Sequence, residues 1–149
     1  MIEIRVRKLH PQAVVPAYMT EHAAGMDLCT VLDTPVLLSP GERTLLPTGL
    51  AMEIPPGYEG QVRPRSGLAL NKGLALVNSP GTIDADYRGE IGIIIINHGQ
   101  EPVEFQSGDR IAQLIIAPVT QAVLVETIEL SDSVRSCGGF GHTGVNNRS

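Results

Sequence analysis

Residues 74–96 read LALVNSPGTIDADYRGEIGIIII. Two aliphatic runs, 74–77 and 91–96, flank a segment dense in Gly, Pro, Asn and Asp. Both runs are too short for a stable helix and suit strands, so the stretch predicts strand, long turn, strand. The isoleucines at 93–96 do not alternate with polar residues, which marks a strand covered on both faces. In a chain of 149 residues, a homo-oligomer with a central apolar seam would supply the second cover.

The pattern repeats outward from this stretch. Ile2, Ile4 and Val6 alternate with Glu3, Arg5 and Arg7, the period of a half-buried strand. Leu37 and Leu38 run into the turn signal Ser39-Pro40-Gly41, and residues 43–46 start the next strand. Further strands are expected at 50–54, 58–63, 103–105, 110–118 and 123–130. Residues 66–71 are the one credible helical turn before residue 120. The 16 Gly and 11 Pro exceed the roughly 12% that the two contribute on average. Short strands broken by Gly and Pro predict an all-β sandwich or barrel, with a jelly roll possible.

Composition excludes several functions. A net charge of -5 offers no basic footprint for nucleic acid or an anionic membrane. Cys29 and Cys137 are too few for a disulfide framework and form no C-x-x-C pair. No apolar run has the length of a signal peptide or a membrane span. These features predict a soluble, cytoplasmic protein with free thiols.

Chemistry-bearing residues concentrate in a few places. Asp84 follows Ile83, and a carboxylate beside apolar surface suits a general base; a simple turn-capping role for Asp84 or Asp86 is the alternative. Pro64-Arg65-Ser66-Gly67 leads into the helical turn and offers a guanidinium and a hydroxyl to a phosphate, or else an N-capping Ser. Asp27 interrupts an apolar strand, so it is either paired or part of a site. Arg110 and Gln113 flank aliphatics, and regular alternation would aim them at opposite faces. Residues 131–149 hold almost no aliphatics, so a frayed tail is the plain expectation; Phe140 among glycines is what that expectation leaves unexplained.

Together, AGMDL, PRSGLA, GTIDADYRG, RIAQLI and RSCGGFGHTG, in that order from Ala24 to Thr143, resemble the five motifs of the homotrimeric dUTPase family. The resemblance implies a distorted jelly-roll, β-clip-like sandwich with one short helix and a flexible C-terminal arm. It implies a single catalytic domain over 1–130 and a mobile Gly-rich arm over 131–149 that closes on another subunit's site. The implied reaction is hydrolysis of dUTP to dUMP and pyrophosphate, with Asp84 as the base for a water attacking the α-phosphorus. Tyr87 would pack on deoxyribose and exclude a 2′-hydroxyl. Asn78, Thr82, Ile83 and Gly92 would read uracil, and Phe140 would stack on it. Arg65, Ser66, Gly67, Arg110, Gln113, Arg135, Gly141, His142 and Thr143 would serve the phosphates. Asp27 would hold Mg²⁺ through bound water.

Two positions depart from the family pattern. Ser136 stands where Gly is usual, which matters if the backbone there needs positive φ. His142 stands where Ser is usual. The nearest rival, dCTP deaminase, resembles the same fold and hairpin, but it carries a catalytic Glu at the position of Ile94. A non-catalytic nucleotide sensor would not need Asp84.

Overall fold

The computed structural model describes residues 2–139. Eleven strands and one helix follow in the order β1 Arg5–Lys8, β2 Met26–Cys29, β3 Val36–Leu38, β4 Arg43–Pro47, β5 Leu50–Glu53, β6 Tyr58–Arg63, α1 Ser66–Lys72, β7 Leu74–Leu76, β8 Gly81–Ile83, β9 Gly92–Asn97, β10 Val103–Phe105 and β11 Arg110–Pro118. The expected all-β class with one short helix is met. The strands form four small sheets, ordered β1-β5, β10-β3, β2-β11-β6-β8 and β4-β9-β7. Every pairing among them is antiparallel.

One core joins the sheets. Leu28, Leu46, Leu50, Ile54, Leu74, Ile93, Ile95, Ile111 and Leu114 are almost fully buried in it. Aliphatic side chains dominate this core, and among the described residues the one aromatic fully inside it is Phe105. Thr30, Thr48 and Asn97 are the polar residues buried with it among the described residues, and the largest is Asn97. Its amide donates to the carbonyls of Leu38 and Glu101 at 3.0 and 2.9 Å and accepts from the Gly99 N–H at 2.8 Å. A buried amide so satisfied costs little and pins the end of β9 to the end of β3 and to the loop at 98–102.

The isoleucine run is more lopsided than expected. Ile93 and Ile95 face the core, whereas Ile94 and Ile96 are only half-buried within one chain. Their cover is incomplete within the described residues.

The strand expected at 123–130 does not form. Ordered strands end at Pro118, and Val123, Leu124, Val125, Ile128 and Leu130 are each at least 80% exposed. An aliphatic pattern becomes a strand only where a free sheet edge and an apolar surface receive it. Among the described residues the segment meets neither. Arg135 to Gly139 are described and mainly exposed, while Phe140, Gly141, His142 and Thr143 lie outside the described residues.

Candidate active site

Asp27 is the hub of the first cluster. It lies on β2, paired with Gln113 on β11. Its Oδ1 takes the Arg65 Nε at 3.2 Å and the Gln113 Nε2 at 3.4 Å. Its Oδ2 takes the Arg110 Nη1 at 3.2 Å. Arg65 also donates through Nη1 to the Arg110 carbonyl oxygen at 3.0 Å. The Asp27 side chain is 12% exposed, against 30% for Arg65 and 51% for Arg110. The carboxylate is thus more buried than the two guanidinium groups that bind it. That arrangement presents paired positive charge to an anion.

A β-bulge makes this cluster possible. The register between β11 and β2 shifts between Arg110 and Ala112. The extra residue turns Arg110 and Gln113 to the same carboxylate, against the expectation that they face opposite ways. Ser66 opens α1, and the helix N-cap is Arg65, with no side-chain capping bond. The N-capping role considered for Ser66 is therefore not the one observed. Gly67 is exposed and a Cβ there would meet nothing within 4 Å.

The second cluster is the hairpin between β7 and β9. Asn78, Thr82, Ile83, Tyr87 and Gly92 line one cavity of about 150 Å³, together with Glu90 and Ile94. Gly81 allows the Asn78 amide to approach, since a Cβ there would sit 3.2 Å from Nδ2. Ile83 is buried and Asp84 is exposed. Strand alternation separates them, so Ile83 gives the carboxylate no apolar cover within the chain. Asp84 opens a turn closed by the Tyr87 N–H donating to its carbonyl at 3.1 Å.

The two clusters do not meet in one chain. Asp27 stands on one edge strand of the four-stranded sheet and the hairpin strand β8 is the other edge. Three strand spacings, roughly 14 Å, separate those edges. Arg135 joins neither cluster and bonds its own segment, Nε to the Gly138 carbonyl at 2.8 Å. Ser136 has φ of 45°. The position does use left-handed backbone, where a non-Gly residue costs about 1–2 kcal/mol.

Glu90 carries no signal of its role in the sequence. An acid next to an aliphatic strand reads as a solvated residue, yet its Oε1 accepts from the Gly49 N–H at 2.8 Å. Only that long-range contact reveals it.

The two thiols differ. Cys29 is buried beneath the Asp27 cluster and Cys137 is exposed. Burial pushes the Cys29 thiol up from its ordinary value, with Arg110 pulling the other way. A raised value keeps it protonated and unreactive at neutral pH. Iodoacetamide is expected to label Cys137 alone in the native protein and both thiols after denaturation. Peptide mass mapping checks this, and equal native labelling of Cys29 would contradict it.

Known proteins share this fold and this sequence pattern. A mutant of the Staphylococcus bacteriophage 80alpha dUTPase with dUpNHpp superposes with a TM-score of 0.85 at 29% identity, covering 97% of this chain and all of that one. A mutant dUTPase from phage phi11 of S. aureus, described with a structural Mg(II) ion, gives 0.78 at 27% identity over 86% of this chain and 98% of its own. These dUTPases define the fold class of this all-β chain. The dUTPase family model matches residues 12–144, and the chain belongs to the dUTPase family. The deoxyuridine 5′-triphosphate nucleotidohydrolase of Syntrophotalea carbinolica is 64% identical over 96% of this chain and 97% of its own length. Its namesake from an Anaeromyxobacter species is 60% identical over 94% of each.

Proposed function

We propose that this protein hydrolyses dUTP to dUMP and pyrophosphate. The observation that carries the reading is the hairpin cavity, which gathers Asn78, Thr82, Ile83, Tyr87 and Gly92 in a chain of this family. Backbone donors and acceptors fixed on a hairpin take the uracil edge and leave cytosine's amino group facing a donor. The Tyr87 ring packs on deoxyribose and leaves no room for a 2′-hydroxyl. Arg65, Ser66, Gly67, Arg110 and Gln113 receive the phosphates, and Asp84 takes the proton of the attacking water. Arg135, Phe140, Gly141, His142 and Thr143 complete the site when the segment 131–149 closes over it.

The donor set fits Mg²⁺ only loosely held by protein. Among the described residues no three His, Cys, Asp or Glu gather, and both Asp27 oxygens already receive side-chain donors. One engaged carboxylate cannot cage the ion, but it can accept from a metal-bound water while phosphate oxygens hold the metal. Bound there, Mg²⁺ neutralises triphosphate charge and fixes its geometry.

The same reading makes the active unit a homotrimer. The cationic cluster and the hairpin cavity lie on opposite edges of a sheet, so one chain's cluster serves a neighbour's hairpin. Half-buried Ile94 and Ile96 and the exposed aliphatics at 123–130 gain cover in the same assembly. Light scattering is expected to give three chains per particle. No helix among the described residues is long and apolar enough to cross a membrane.

A nucleotide panel assayed for pyrophosphate, with and without Mg²⁺, tests the function. Turnover of dUTP but not UTP, dCTP or dTTP is the expected result. Release of ammonia from dCTP would favour a deaminase instead.

A further inference from the structure

Tyr87 is 46% exposed and stands on a turn, a poor place for a ring that must reject one oxygen atom. Two contacts hold it. Its hydroxyl donates to the Glu90 carbonyl at 3.0 Å. Its ring lies so close to Gly89 that any Cβ there would collide with the phenol. Both contacts are with the chain just downstream, so the ring is only as fixed as residues 89–90.

Glu90 is fixed in turn by its own side chain. The carboxylate accepts from the Gly49 N–H at 2.8 Å, across 41 residues. The Gly49 carbonyl is itself occupied, by the Leu9 N–H at 2.7 Å. The next residue continues the lacing: the Ile91 carbonyl accepts from Thr48 Oγ1 at 2.6 Å, and the Ile91 N–H donates to Leu50 at 2.8 Å. A charge-assisted bond to backbone is stronger and shorter than a neutral one. It ties the exposed end of the hairpin to the buried Thr48–Leu50 corner.

We infer that Glu90 is a positioning residue for sugar selection: its carboxylate, clamped on the Gly49 N–H, sets where the Tyr87 ring stands and hence how strictly a 2′-hydroxyl is refused. This rests on the reading of Tyr87 as the residue that excludes ribose. Glu90 touches no reacting atom. Its loss loosens the ring without removing it.

The test is kcat and KM for dUTP and for UTP in the full-length protein with Mg²⁺. Glu90→Ala is expected to narrow the ratio of the two kcat/KM values about tenfold, the size of one lost charge-assisted hydrogen bond. The narrowing arises mainly from improved use of UTP. Glu90→Gln keeps an acceptor oxygen for Gly49 and is expected to hold the ratio within about twofold. Gly89→Ala displaces the ring while leaving the Glu90–Gly49 bond in place, so it narrows the ratio even if Glu90→Ala fails to fold. A merely structural role would lower both substrates together and leave the ratio untouched in Glu90→Ala and Gly89→Ala, which overturns the inference. Tyr87→Ala separates the two levels. An unchanged ratio there overturns the ribose-excluding role of Tyr87, and the inference with it. A collapsed ratio there, beside an unchanged one in the other two variants, overturns the role of Glu90 alone.

Discussion

Asp84→Asn is expected to lower kcat for pyrophosphate release from dUTP by about 10³-fold and to leave KM within a few-fold. Positioned general bases contribute roughly 10²–10⁴-fold. The amide keeps the size of the carboxylate and an acceptor oxygen but cannot take a proton from water. Local structure should survive the change. The turn at Asp84 is held by its backbone carbonyl, which accepts from the Tyr87 N–H, and not by its side chain. The exposed carboxylate makes no contact that the fold depends on. A thermal shift with dUTP would show that the variant still folds and binds. Unchanged pyrophosphate release would sink the assignment of Asp84 as base. The exposure also bears on how the base works. Ile83 turns into the core beneath it, so in the proposed mechanism apolar surroundings for Asp84 are assembled by substrate and neighbouring chain. On that proposal, chemistry at Asp84 depends on closure and assembly more than a buried base would.

The hairpin was the most legible part of the site. Gly81, Gly89 and two aliphatic runs announce a tight strand connection, whereas grouping Asn78, Thr82, Tyr87 and Gly92 takes the family resemblance; the structure lines one cavity with all four. The cationic cluster was less legible because its geometry is not local. Nothing in the spacing of Arg110 and Gln113 marks the bulge that swings both onto Asp27. A regular strand would have parted them. Asp27 was readable as either paired or functional, and the structure makes it paired, with two guanidinium groups at once. The segment 123–130 shows the opposite failure. Its pattern is a strand's, but a strand needs a partner edge that one chain does not provide. Up to Pro118 the aliphatic core was more legible, since Leu, Ile and Val on paired strands need only be brought together to bury one another.

Asp27→Ala is expected to reduce kcat/KM for dUTP by about 10²-fold at saturating Mg²⁺, and the sign follows from two opposed effects. Removing a negative charge near a triphosphate favours binding by about 1 kcal/mol, because the arginines around it are partly hydrated and the local dielectric is high. Removing it also frees the Arg65 and Arg110 side chains, whose guanidinium groups both stand at 3.2 Å from it. Each arginine then must be ordered by the substrate, and each charge-assisted bond to phosphate, worth roughly 1.5–3 kcal/mol when its donor is prealigned, is weakened. Two such losses outweigh one relieved repulsion. Stability should fall as well, by roughly 1–2 kcal/mol. That is below the 3–5 kcal/mol of a fully buried broken pair, since water reaches the exposed side of both arginines. Asp27→Asn keeps acceptor oxygen for one guanidinium and should lie between the two proteins in both measurements. Binding of dUTP in EDTA distinguishes this role from one confined to the metal. A carboxylate that only receives a metal-bound water would leave metal-free affinity unchanged or improved in Asp27→Ala, whereas a carboxylate that aligns Arg65 and Arg110 requires that affinity to drop.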